Sequence, residues 1–537
     1  MDIYKLWVAR LIVGRYLSFY FMSQIQLSIR LLTLIFILIQ PLVNFGQNKY
    51  ELKQHGEFIY DRDDRPFEYV GLVDGKHYML FSNKKSGFVS LVELNQNFVP
   101  TNRSKVVLSK SDGEFEVYVF GKMMNDQLKI ITKTLNTLDR TQRFYIKSVD
   151  LKSFKVSKPA EIGSSFYKLI TTQDMQGYLV TDIFDDNNQL SLNFTERVSS
   201  KEAKFNAVLL NEELEPLETK SIDIPQWFIQ IYENHLDFYN PKRYNNTVYS
   251  ISSGKSNKED VYKFYVNKNL DTTYLELPTD FEENYFGGGD WWVEDDKIKL
   301  FGIIKSGHTV KSRTMNGFFS GEIDLLDSSK SNITTQFLTS EFLNQYYKSY
   351  GLSSSKLKAA MKYNGVSMTE DGFKGAYEMK DGGFLIEVER FFNNDLLFAK
   401  FSSNGAFEWM KYLKHPSIKY KGKAFEFGFS VHDNVIIQLN EDMLLLRNGH
   451  IEEFSNLEKF KDPKTFSSNY SINLFEIEPN GTIKKSILLD FKNQERYVIQ
   501  PLYQFIIDQS TALIYSINEN EDQKFRFMTL TSSSSER

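Results

Sequence analysis

Hydrophobic and polar positions alternate in short bursts along most of the chain. YMLFS (78–82), FVSLVEL (88–94), FEVYVFG (115–121), KIITKT (129–134) and FYIKSVDL (144–151) are brief, β-branched and aromatic, and polar or Gly-bearing turns separate them. The same texture continues through GYLVTDIF, FNAVLLN, TVYSIS, VYKFYVN, IKLFGII, GFLIEVERFF, LLFAKFS, NVIIQL, YSINLFEIE and ALIYSIN. Helical spacing is nearly absent, so the pattern predicts an all-β protein. One segment departs from it. TSEFLNQYYKSYGLSSSKLKAAMKY (about 339–363) places Phe342, Leu343, Tyr346 and Tyr350 near helical spacing behind Ser and Thr caps, and predicts a short helical insertion. Such an insertion lies either on a binding face or against the outer rim.

The strands recur as a unit: an apolar strand, a polar turn and a second strand. The unit appears in SLVELNQNFVPTNRSKVVL, IKSVDLKSFKVSKPAEI, AVLLNEELEPLETKSIDI and KFYVNKNLDTTYLEL, and again in GEIDLLDSSKSNITTQFL, AKFSSNGAFEWMKYL and FEIEPNGTIKKSILL. Its turns fall near Asn95, Lys152, Asn211, Asn267, Asp327, Asn404 and Asn480, spaced roughly 56–60 residues at first and roughly 77 later. Another strand pair precedes each unit, giving four strands per repeat. This pattern resembles the β-propeller superfamily at large, without a signature that names a narrower family. The resemblance implies one propeller of about eight four-stranded blades, with seven possible because the second repeat has weak strands. Closure follows from the ends. The last repeat, FIIDQSTALIYSINENEDQKFRFMTL, has only three clear strands, and EFIY (57–60) ahead of the first repeat is free to supply the fourth. The competing arrangement is two successive β-sandwich domains.

Composition narrows the function classes. With 41% hydrophobic residues, 45 Phe and 30 Tyr, the chain is far from the disordered range, and a net charge of −5 offers no basic surface for nucleic acid. Cysteine is absent, which excludes disulfides, thiolate metal sites, a Cys nucleophile and a lipidated Cys anchor. The run LLTLIFILIQPLV after Arg30 is short for a membrane span and matches the apolar core of a secretory signal. Residues 1–46 are therefore expected to be a signal peptide, with cleavage before Gln47 and translation starting at Met22, and residues 47–537 a single domain outside the cytoplasm. Removing 1–46 takes away Asp2 and the cations Lys5, Arg10, Arg15 and Arg30, so the remainder is more acidic still. The alternative is an N-terminal membrane anchor with the same body outside.

Chemistry is sparse. No G-x-S-x-G, H-E-x-x-H, P-loop or dinucleotide fingerprint occurs, and FGGG (286–289) lacks the strand–turn–helix setting that cradles phosphate. The histidines, His55, His77, His235, His308, His415, His432 and His450, are singletons and read as structural. Asp61, Asp63 and Asp64 alternate with Arg62 and Arg65 and are expected to pair locally. Asp182, Asp185 and Asp186 fall short of a calcium loop, which needs a central Gly and a late Glu. No metal, cofactor or catalytic residue is expected from any of these. The most unusual stretch is YFGGGDWWVEDDK (285–297). Adjacent strand residues point to opposite faces, so Asp290, Trp291 and Trp292 form either a stacking platform for a sugar or protein partner, or a turn with both rings buried between neighbouring sheets. The expected function is an exported, non-enzymatic propeller binding a protein or glycan of the cell envelope. The alternative is a hydrolase or lyase acting on polysaccharide or peptide, with paired carboxylates in a central funnel.

Overall fold

A computed structural model describes residues 49–532 except 108–113, 125–126, 137–140, 167–180, 187–188, 198–202, 212, 225–241, 245–246, 256–261, 269–273, 279–284, 307–313, 349–365, 368–371, 390–395, 414–434, 451–469, 492–494, 496, 519–520 and 522; across 181–205 and 222–285 mostly the backbone alone is described. The expected signal region, 1–46, lies outside the described residues. Leu52–Thr531 forms one compact unit.

Short alternating strands joined by tight turns pair most cheaply with their sequence neighbours, and they do so here. Asp64–Val73, Lys76–Asn83, Val89–Leu94 and Pro100–Val107 form one antiparallel sheet in chain order. Six further sheets repeat the meander over residues 114–166, 181–224, 242–278, 285–337, 373–413 and 435–490. In the fifth, a two-residue strand, Val366–Ser367, adds to the edge of Thr314–Asp324. The eighth sheet is composite: Tyr497–Asp508, Thr511–Asn518 and Lys524–Ser532 take Tyr50–Ile59, from the other end of the chain, as their fourth strand.

The sheets stand side by side in chain order. The first strand of the first sheet touches the first strands of both the second and the eighth, and further contacts link the second to the third, the third to the fourth, the fifth to the sixth and the seventh to the eighth. Shared apolar clusters join the fourth to the fifth and the sixth to the seventh. The succession therefore closes on itself. The fold is a β-propeller.

Its eight blades explain the hydropathy pattern. A middle strand is covered by neighbours on both faces, so Val89–Leu94, Phe384–Glu389 and Leu396–Phe401 are buried at every position. Outer strands such as Pro100–Val107 and Ile483–Asp490 are instead exposed or half-buried at most positions. The core is a set of seams between blades. Phe264 and Val266 of blade 4 meet Trp291, Ile298 and Phe319 of blade 5, and Phe301 and Phe318 meet Phe384 and Leu397 of blade 6.

The recurrent turn has a common construction. In 95–99, 211–215, 402–406 and 478–482 the first residue donates its N–H to the fifth carbonyl, and the fourth donates back to the first. Asn95, Asn211, Asn404 and Asn480 accept backbone N–H groups within these turns, which is why asparagine marks them in the sequence. The fourth residue sits at positive φ, 80° for Gly405 and 79° for Gly481, but 52° for Phe98 and 61° for Leu214. Both apolar side chains are buried beneath their turns, which offsets the left-handed strain.

The helix forms as α1 (Ser340–Lys348), with Thr339 Oγ1 accepting the Phe342 N–H as its N-cap. Leu343, Tyr346 and Tyr347 are buried in the seam of blades 5 and 6, so this helix packs as structure. The rest of the expected insertion, 349–363, is outside the described residues.

Candidate functional site

The two faces of the ring differ in the length of their connections. On one face, seven of the eight first-to-second turns are two residues long (74–75, 125–126, 187–188, 245–246, 295–296, 440–441, 509–510) and the third-to-fourth turns are short. The strand ends on the other face are those joined by the longer stretches of chain, 167–180, 225–241, 338–372, 414–434 and 451–469. Binding residues concentrate on such loops when a rigid scaffold presents them. The first strands are also irregular. Register shifts interrupt Asp64–Val73, Glu114–Met124, Tyr285–Glu294, Phe373–Glu378 and Tyr497–Asp508, and bulges of this kind re-aim side chains near functional sites.

Blade 7 receives two of the longest connections, 414–434 and 451–469, and its seam with blade 6 changes character toward that face. Away from that face the seam is apolar, with Met379, Leu385, Met443, Leu445 and Phe475 in one cluster. Strand alternation puts Glu387 and Glu389 on the same side as Leu385, and Arg447 on the same side as Leu445, so acids and a cation line the upper seam. Glu387 and Arg447 are each 1% exposed, and Ser471 and Asn473 are equally buried. Tyr377 Oη donates to Glu387 Oε2 at 3.0 Å, while Glu387 Oε1 has no hydrogen-bond partner. Lys374 Nζ lies 2.7 Å from Glu389. Burial, reinforced by the Glu389 charge and opposed by Tyr377 and Lys374, pushes the Glu387 carboxyl up to about 8. Across the seam the Arg447 guanidinium lies 4.6 Å from the Phe475 ring centre. Desolvation, with Arg447 nearby, pulls Lys485 down to about 8. The arrangement sets two carboxyls roughly 7 Å apart along the strand, of which burial raises that of Glu387. Sequence reasoning missed it because EVE in GFLIEVERFF reads as ordinary strand alternation.

Most other described carboxylates near the seams are held in structural pairs. Arg103 grips Asp64 with both terminal nitrogens at 2.5 and 3.1 Å, and Asn83 adds 2.9 Å. The local pairing expected for this acidic–basic run is thus replaced at Asp64, because Arg103 approaches from the outer strand of the same blade. Arg65 instead donates to the carbonyls of Arg62 and Asp64. Glu322 is shared by Lys297 and Lys299 at 2.7 and 2.8 Å. Glu68 is capped by the Tyr118 hydroxyl, and burial raises its carboxyl as well.

Asp290, Trp291 and Trp292 sit on the first strand of blade 5. Trp291 is fully buried against blade 4, and Trp292 is half-buried between Phe301 and Phe384, 5.2 Å from each ring. Asp290 Oδ1 accepts the Trp291 N–H at 2.7 Å. Trp291 has no exposed ring face on which a sugar could stack, so any platform here is confined to half-buried Asp290 and the outer edge of Trp292.

Of the described histidines, His55 Nε2 meets Thr529 Oγ1 and His77 Nδ1 meets Tyr69 Oη, both at 2.9 Å, and the two imidazoles flank Phe98. Asp182, Asp185 and Asp186 lie in the strand Thr181–Asp186. Among the described residues no group of three or more His, Cys, Asp or Glu side chains is placed to hold a metal ion, and no helix is long and apolar enough to cross a membrane.

No protein-family model matches the chain, and no curated protein matches it. Solved structures similar to it include the β-propeller domain of the Trilobed protease from Pyrococcus furiosus, at 10% identity over 81% of this chain and 98% of that one, with a TM-score of 0.33. The polysaccharide lyase Uly1 is similar at 8% identity over 89% and 99%, TM-score 0.33. An α-L-arabinofuranosidase from Fusarium graminearum is similar at 9% identity over 82% and 98%, TM-score 0.32. At these values the likeness carries no functional argument, and the assignment of the fold rests on the closed ring itself.

Proposed function

We propose that this chain is an exported, non-enzymatic β-propeller that binds a protein or glycan of the cell envelope. The observation that carries the reading is the concentration of all long connections on one face of an otherwise tightly turned ring. The apolar run behind Arg30 supports export. The test replaces 451–469, which joins adjacent strands of blade 7, with a short Asn-Gly turn, exchanges 225–241 for a Gly-Ser linker of the same length, and measures retention of envelope proteins and of arrayed glycans. Retention should be lost in these variants and kept when the 95–99 turn on the opposite face is altered; equal retention by all of them rejects the reading. Fractionation with N-terminal sequencing checks the address, with Gln47 expected as the first residue.

A hydrolase or lyase is the second reading, and Glu387 with Glu389 favours it, since glycosidases work with carboxyl pairs about 5–9.5 Å apart. Product release from polysaccharide or peptide, abolished by Glu387→Gln and by Glu389→Gln, would displace the binding reading.

A further inference from the structure

We propose that Tyr50–Ile59, the strand that closes the ring, is an acid-released clasp: charging His55 detaches it from Lys524–Ser532 while the rest of the ring stays folded. It is the one outer strand that no turn joins to its sheet neighbour, because every other blade pairs its strands in chain order. From Glu51 to Glu57 no position of it is buried, and Phe58 anchors it in the seam. The remaining grip is polar. Arg526 bonds Gln54 and Glu57, Lys524 Nζ lies 3.2 Å from Glu57, and His55 Nε2 meets Thr529 Oγ1 at 2.9 Å. His55 also packs on Phe98 of blade 1, ring centres 4.7 Å apart, and His77 lies against the same ring at 4.2 Å. Beside it a Cβ at Gly56 would come within 2.6 Å of Val99, so strand and turn touch directly. One imidazole thus bridges the closing strand to blade 8 and to blade 1.

Acid turns this joint cationic. Histidine is the side chain that charges on mild acidification, and half-buried His55 sits among like charges, Lys53 on its own strand and His77 of blade 1. Its other neighbours, Thr529 and Phe98, are neutral; beyond His77 stands Tyr69, with Asp508 of blade 8 nearby. Burial, Lys53 and His77 hold the imidazole down to about 4, so its contribution is complete above 6.5 and lost as the pH falls through 4. Glu57 works in the same sense. Burial would raise its carboxyl, but Tyr497, Lys524 and Arg526 outweigh that and hold it below the ordinary 4.5, so its grip is also lost in acid. Lys524 is shared with Glu495 and Glu521. Once Glu57 is protonated, Lys53, His55, His77, Lys524 and Arg526 leave the joint with like charges on both sides.

The experiment is hydrogen–deuterium exchange of the full chain at pH 7 and at about pH 3.5, corrected for the intrinsic pH dependence of amide exchange. Protection of 52–59 should fall at least about tenfold at the lower pH, while the middle strands 89–94 and 511–518 keep theirs. His55→Gln retains a partner for Thr529 without taking up a proton, and should hold the strand in acid. Lys53→Met, at an exposed position, removes one of the like charges and should lessen the loss about threefold. Both variants are checked for folding at pH 7 by circular dichroism and thermal melting. A closing strand that stays protected in wild type at the lower pH, or one lost to the wild-type extent in either variant, overturns the inference. Loss of all three segments together also overturns it, since that is global unfolding and not release of a clasp.

Discussion

Trp291 and Trp292 are one residue apart and belong to different seams, one against blade 4 and one against blade 6. Trp291→Ala should therefore cost about 3–5 kcal/mol and Trp292→Ala less, as measured by denaturant unfolding. Titratable groups set two limits on stability. Burial, with Lys53 and His77 nearby, holds His55 down to about 4, so its contribution is present above the ordinary 6.5 and is lost as the pH falls through 4. Glu387 runs the other way. Its raised value makes its contribution complete below 4.5 and progressively lost as the pH climbs through 8. Melting temperature against pH should lose its acid limb in His55→Gln and its alkaline limb in Glu387→Gln; unchanged limbs refute the assignments. At this scale little was legible beforehand. Strand alternation announced that the two tryptophans diverge, but which charged residue becomes buried depends on the blade across the seam, and no local pattern encodes that.

Among elements, the recurrent turn was the most readable, because Asn95, Asn211, Asn404 and Asn480 bond their own turns. The unreadable part is its fourth position, where Phe98 and Leu214 hold a conformation normally left to glycine. The sequence shows an aromatic in a polar turn; only the ring stacked 4.2 Å from His77 explains why it stays. Phe98→Ala should lose about 3 kcal/mol, and Phe98→Gly should be the milder change by about 1 kcal/mol, reversing the usual order of alanine and glycine. Gly405→Ala should be destabilising by about 1–2 kcal/mol, since an added Cβ meets Ser320 Oγ at 3.1 Å while φ stays near 80°. Unfolding free energies of these variants decide both points. The helix was legible from its caps and spacing, whereas its place in the seam of blades 5 and 6 was not, because apolar spacing identifies a face and not what covers it.

At the scale of the whole ring, repeat texture was enough to anticipate a propeller and its closing strand, since each blade is built from local pairings. The two faces were not distinguished in the sequence, because it is the strand order within each sheet that assigns a connection to a side. Deleting residues 50–59 should uncover the edge of Lys524–Ser532, and size-exclusion chromatography should show association where the intact chain elutes as one species. The borrowed strand has a temporal meaning as well. His55 and Thr529 bond across a separation of 474 residues. At about 5–20 residues per second, the ribosome emits one on the order of a minute before the other. Throughout that interval the first strand has no partner, and no sequence of local folding events can shut the circle. The nascent polypeptide is thereby kept from its final closed form until its last blade exists, which is the condition a chain must meet to be threaded through a narrow pore.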